Sequence, residues 1–157
     1  ISHGVVSAAL FLIVGMLYDR MNTKEISKYG GVAHKMPIMA FIFMVFTMAS
    51  IGLPGTSGFV GEFLALNGMY IADPIAGAVA ALGMVLGAVY MLNLYKRVMF
   101  GTVHNPEVSS LKDLNHREIM TLMPLLIMVV AFGVFPSLLT DGLKSPIVHI
   151  IQTVIKQ

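Results

Sequence analysis

Residues 52–63 read GLPGTSGFVGEF, and the organisation of the chain turns on them. Upstream runs MPIMAFIFMVFTMASI without a charge; then Gly52, Pro54, Gly55 and Gly58 fall close together, and Glu62 follows. Glycine and proline interrupt a helix, the first by conformational freedom and the second by its missing N–H and its ring. An ionisable group inside an apolar run costs several kcal/mol unless it lines a polar cavity or finds a partner. A break and an acid at the same depth therefore point to one polar interior.

The lengths around the break decide between topologies. Residues 36–72 would reach about 55 Å as one helix, whereas two separate crossings would need roughly 40 residues and a turn. A single crossing made of two half-helices, Pro37 to Ile51 and Phe59 to Ala72, broken over 52–58, fits the length. Charge placement agrees. With one crossing here, loop 19–35 (Arg20, Lys24, Lys28, Lys35) and loop 96–118 (Lys96, Arg97, Lys112, Arg117) share a side and gather 8 of the 10 basic residues. The positive-inside rule then puts both loops on the cytoplasmic side or its organellar equivalent.

Composition sets the environment. The 157 residues are 57% hydrophobic and 11% charged, with a mean hydropathy of +0.83, too apolar for a water-covered domain. The expected fold is all-α, a polytopic transmembrane helix bundle of about four spans, one discontinuous, with a short C-terminal amphipathic helix. The spans are 1–18, 36–72 with its break, 74–97 and 117–140. Asp73-Pro74 caps the third, Asn115-His-Arg-Glu118 resembles a capping box for the fourth, and Pro136 should bend or end that last span. Ser145-Pro146 reads as the start of a tail helix over 146–156, with Ile147, Ile150, Ile151, Val154 and Ile155 on one face and His149, Gln152 and Lys156 elsewhere. The opening ISHGVV lacks a Met and lies already inside an apolar run, so the chain reads as a piece of something longer.

Several chemistries are excluded or disfavoured. Without cysteine there is no disulfide, thiolate metal site or iron–sulfur ligation. Basic residues flank spans rather than forming a stripe, which argues against nucleic acid. No GxGxxG, Walker pattern or nucleophile elbow is present, and no cofactor or metal is expected on this chain.

Two residues carry the candidate chemistry. Glu62 is read as lying in the first turn after the break, where free N–H groups and the helix dipole favour a carboxylate. The competing reading is a solvated helix-start acid at the membrane interface. His3, in another apolar run, carries an imidazole, the side-chain type suited to a proton relay near neutral pH, against the alternative of a lone histidine facing a loop or a backbone carbonyl. Ser2, Ser7, Thr56, Ser57 and Asn93 could bond to waters or kinked backbone, although small hydroxyl residues in membrane helices usually satisfy their own helix. Gly83-Met-Val-Leu-Gly87 with its neighbouring alanines reads as a surface for close helix approach.

At SHGVVSAALFLIVGMLYDR, KYGGVAHKMP and FTMASIGLPGTSGFVGEF the sequence resembles the subunit-four (M-type) antiporter-like membrane subunit of proton-pumping NADH:quinone oxidoreductase, respiratory complex I. The resemblance covers essentially the whole chain and implies the C-terminal third of a fourteen-helix subunit. It implies that Glu62 is the ionisable residue of a discontinuous helix and His3 the histidine of the preceding helix, both on a chain of protonatable groups. The implied partners are other membrane-arm subunits, the lipid bilayer and protons, in a bacterial or mitochondrial inner membrane. No NADH or quinone site is implied on this chain. Sibling subunits and most multi-component cation/proton antiporters usually carry lysine where Glu62 stands. Two alternatives remain: a subunit of such an antiporter, or a structural and assembly subunit in which Glu62 merely pairs with a neighbour's base.

Overall fold

The structure, a computed structural model, describes residues 1–103 and 105–155; for 150, 151 and 153–155 only the backbone is described. It is all-helical among the described residues: α1 Ser2–Met21, α2 Pro37–Ser50, α3 Ser57–Ala72, α4 Pro74–Met99, the single turn α5 Pro106–Ser109, α6 His116–Val134 and α7 Ser137–Ile155. Two 3₁₀ turns, Ile26–Lys28 and Val32–His34, lie between α1 and α2. Helices α1, α4 and α6 are each long and apolar enough to cross a membrane, and α2 is a shorter apolar helix.

The core follows from a four-residue repeat on α1. Val5, Ala9, Ile13, Leu17 and Met21 form one buried stripe, the spacing that puts side chains on one helix face. α1 packs on both α2 and α6; the shared core takes in Met39, Ile42, Phe43 and Phe46 of α2 and Leu122 and Val129 of α6. The outward faces of α3 and α4 stay apolar and exposed, at Phe63, Leu64, Val79, Leu82 and Val85 among others, which suits lipid or protein neighbours but not water.

Contacts fix the helix directions. Tyr95 Oη of α4 donates to the Ala40 carbonyl of α2 at 2.9 Å. Further along, Met84 of α4 lies beside Gly52 at the end of α2, and Gly77 lies beside Tyr70 of α3. Both α2 and α3 thus run antiparallel to α4, one after the other, as two half-helices joined at the break. The two basic loops meet as well: the Gly31 N–H donates to the Phe100 carbonyl at 3.1 Å and Asn105 Nδ2 to the Lys28 carbonyl at 3.3 Å.

Three boundaries differ from expectation. The non-helical break is shorter, 51–56, because Ser57 and Gly58 already belong to α3 with Thr56 as its N-cap residue. The fourth span ends at Val134 instead of 140, because Pro136 cannot donate to Phe132 and Phe135 takes φ −120°, ψ 68° outside the helical region. The tail helix accordingly starts at Ser137, and Pro146, read as its start, lies inside α7. The expected apolar side chains at 150, 151, 154 and 155 and the tail residue Lys156 lie outside what is described.

The candidate site at the broken helix

The break is built by backbone geometry. α2 ends with Ile51 as its C-cap residue, and the Ile51 N–H still donates to Thr47 at 3.2 Å. Gly52 then takes φ +77° and Gly55 φ +90°, a region that residues with a Cβ rarely adopt. The Thr56 hydroxyl turns back to donate to the Leu53 carbonyl at 2.7 Å, so it satisfies the broken backbone. Gly58 is required for approach: a Cβ there would collide with the Ala49 carbonyl of α2. Gly133 near the end of α6 packs in the same way on the Gly55–Thr56 backbone, so α6 closes the break from one side.

Glu62 lies within this construction, but not where the sequence puts it. α3 begins at Ser57 and has no acid in its first turn; Glu62 is its sixth residue, in the second turn. A free-amide cradle for the carboxylate is therefore not what the fold provides. Instead the side chain reaches back, and its Oε2 occupies the space that a Cβ on Gly52 would fill. Glu62 is half-buried overall, yet Oε2 is shut off and has no hydrogen-bond partner among the described residues. Its depth follows from α4: Met84, beside Gly52, stands ten residues after Pro74 and fifteen before Met99, or about 15 Å and 22 Å from the two ends of that helix. Glu62, whose Oε2 lies against Gly52, is thus level with the middle of α4 and not with either end.

His3 and Glu62 border the same cleft. A cleft of about 240 Å³ is lined by Ser2 and His3 of α1, Ala49 and Ser50 of α2, and Gly58 and Glu62 of α3. His3 is exposed, towards the open side of the bundle. At the margin, the Ser2 and Ser57 hydroxyls are 2.9 Å apart and tie α1 to the start of α3. A second cavity of about 360 Å³ opens on the other side of Glu62, between α3 and α4, with Ser50 and Tyr90 in its lining. Glu62 and Ser50 border both spaces. Ser50 was not singled out from the sequence, although a hydroxyl residue directly before a Gly-Pro break is a readable signal.

Gly83 and Gly87, read as a helix-approach surface, do not serve that purpose within this chain. A Cβ at Gly83 would meet nothing within 4 Å, and one at Gly87 only the Tyr90 ring at 3.9 Å. The close approach occurs at Gly77, where a Cβ would sit 2.7 Å from Tyr70 Cα. Among the described residues no group of three His, Asp or Glu side chains could hold a metal ion.

Comparison with known proteins adds an independent line. The family described as "NADH:quinone oxidoreductase/Mrp antiporter, TM" matches residues 1–87, including α1, the break and Glu62. NADH-quinone oxidoreductase subunit M of Rickettsia typhi is 56% identical over 137 residues, 87% of this chain and 28% of that protein. Subunit M of Rhodobacter capsulatus is 47% identical over 97% of this chain and 30% of its own length. Among solved structures, respiratory complex I from Thermus thermophilus with bound NADH matches 90% of this chain and 30% of the matched chain, at TM-score 0.82 and 37% identity. The Mrp complex from Dietzia sp. matches 88% of this chain and 34% of that chain at TM-score 0.75 and 21% identity, a likeness of fold. The chain thus spans under a third of the length of the curated relatives it matches.

Proposed function

Because the chain belongs to the NADH:quinone oxidoreductase/Mrp antiporter membrane family, we propose that it is part of the proton-translocating membrane arm of a respiratory NADH:quinone oxidoreductase, with Glu62 and His3 as proton-transfer groups. The observation that carries this is the shared cleft: an acid and an imidazole from different helices line one space beside a broken helix.

The chemistry needs only these groups. The unpartnered Oε2 keeps its lone pairs free for a proton or a water. A neutral imidazole accepts a proton on one nitrogen and can then release the proton of the other, so His3 can pass a proton across its ring, which is left in its other tautomer until it flips. The break supplies backbone that does not close its own ladder, tolerated at membrane depth only where protein or water surrounds it. Redox chemistry would take place on other subunits, and this chain would bind neither NADH nor quinone. Its partners would be the neighbouring membrane-arm subunits and the lipids of a bacterial or mitochondrial inner membrane.

The test is Glu62→Gln in the complete enzyme reconstituted into vesicles. NADH-driven proton uptake should fall steeply, while Glu62→Asp, which keeps the charge, should do less harm. Normal pumping by Glu62→Gln would remove the proposal. Normal pumping per assembled enzyme with poor assembly would instead assign Glu62 to subunit packing.

A further inference from the structure

A pocket at the opposite end of the bundle has no part in the proton site. It has a volume of about 230 Å³ and lies between α1, α2 and α4, under the loop that follows α1. Its walls are apolar: Val14 and Leu17 from α1, Phe43 from α2, Leu94 and Val98 from α4, with Ile26 from the loop. Its rim is polar and basic, formed by Thr23, Lys24 and Tyr29.

The roof is built and not a loose loop. The Tyr29 hydroxyl donates to the Thr23 carbonyl at 2.6 Å, and the Glu25 N–H to Thr23 Oγ1 at 3.2 Å. Burial pushes the Tyr29 phenol above its ordinary range, so it remains a neutral donor. The Lys24 ammonium stands 5.3 Å from the centre of the Tyr18 ring. No carboxylate pairs with it among the described residues, whereas Lys28 is taken by Glu25 at 3.2 Å. Lys96 and Arg97 add positive charge in the last turn of α4, directly before Val98.

Position and charge select the occupant. The pocket lies at the end where the basic loops gather, which is the side facing anionic lipid headgroups. Val14 of its lining is 45% exposed, and Tyr18, whose ring lies near the Lys24 ammonium, is 39% exposed, an apolar surface with an amphipathic aromatic residue of the type found at membrane interfaces. An apolar cavity under an uncompensated ammonium at that depth matches an acyl chain below a phosphate. We propose that this pocket is a binding site for an anionic phospholipid of the basic-side leaflet, its acyl chain between Phe43, Leu94 and Val98 and its phosphate at Lys24.

The complete enzyme would be placed in phosphatidylcholine nanodiscs containing a trace of phosphatidylglycerol with a diazirine on one acyl chain, irradiated, and its labelled residues mapped by mass spectrometry. Labels should fall on the pocket walls. The same diazirine on phosphatidylcholine should label them about fivefold less, and Lys24→Gln should lower phosphatidylglycerol labelling by about the same factor. Lys24→Arg should retain it, and Leu94→Trp, which fills the cavity, should abolish wall labelling by either lipid. Equal labelling by both lipids, labelling unchanged in Lys24→Gln, or unlabelled walls in the unmodified enzyme because another polypeptide covers them, would each overturn the assignment.

Discussion

The two ends of α1 handle polar groups in opposite ways. At its C-terminal end Arg20, Asp113, Asn115 and Glu118 form a bonded network. Arg20 makes a bidentate pair with Glu118, both contacts at 2.7 Å, and donates to the carbonyls of Met16 and Lys112. Asp113 accepts from Ile38 and Met39, the open N–H groups of α2, at 2.8 and 3.1 Å. Asn115 and Glu118 complete a reciprocal capping box on α6. At the N-terminal end, Ser2 meets another hydroxyl, His3 faces a cleft, and the nearby Glu62 leaves Oε2 buried and alone. Satisfied polar groups hold helices in register; an unsatisfied one at depth is a cost that packing does not explain. The contrast supports a division in which the loop end holds the helices in register and the break carries the proposed proton chemistry.

Substitutions that fail at one end and not the other would test that division. The largest effect is expected at Gly52. Gly52→Val forces a β-branched residue into φ +77° and drives its side chain into Glu62 Oε2. Proton pumping by the complete enzyme should drop by about an order of magnitude, as expected for a displaced proton-transfer group, with the chain still assembled. Pumping at the normal rate would show that the position of Glu62 against Gly52 is immaterial.

Next in size is Arg20→Met. It strips Glu118 of its cation where both side chains are only 18% and 17% exposed. The cost should be about 2 kcal/mol, between the values for exposed and fully buried pairs. It should appear as release of this subunit from the detergent-solubilised complex at lower temperature, while pumping per intact complex stays normal. A pumping defect without lability would place the loop end in the proton path and collapse the distinction.

Tyr95→Phe should cost less, about 1 kcal/mol, by deleting the hydroxyl that bonds the buried Ala40 carbonyl. The ring keeps its contacts with Phe43 and Phe100, whose centroids lie 5.2 and 5.6 Å away. A double substitution with Arg20→Met should be additive within a few tenths of a kcal/mol, the two sites sharing no partner.

Much of this was legible in the sequence because it depends on chain length, charge sign and a few residue types. The broken crossing followed from span arithmetic and the positions of Gly52, Pro54 and Gly55, and the caps at Asp73 and Asn115 from local rules. The turn that Glu62 occupies was misread, since the N-cap is Thr56 and the helix starts earlier than the last glycine suggests. Pro146 misled for a related reason: a proline can mark a start or lie inside a helix, and only the preceding break at Pro136 decides which. The Arg20–Glu118 pair joins residues 98 apart, and no local pattern reveals such a meeting.

The smallest expected effect, that of Gly83→Ala, is best read against its neighbour Gly77 on the same helix. Gly77 and Gly83 look alike in sequence, and Gly83 begins the more familiar spacing with Gly87. In the structure a Cβ at Gly77 would press on the Tyr70 backbone at 2.7 to 2.9 Å, and one at Gly83 would meet open space beside the α3–α4 cavity. Main-chain atoms cannot move aside as a flexible side chain can, so Gly77→Ala must part α3 from α4 near the Asp73 turn. It should cost about 1 to 3 kcal/mol, as overpacking does, read as subunit release at lower temperature. Gly83→Ala should change that temperature by no more than a ~0.5 kcal/mol equivalent, and since one methyl does not fill a cavity of about 360 Å³, pumping should persist. If Gly83→Ala proves the more damaging of the two, the small-residue surface is packed against a neighbour after all, and the space beside Glu62 is closed in the assembled enzyme.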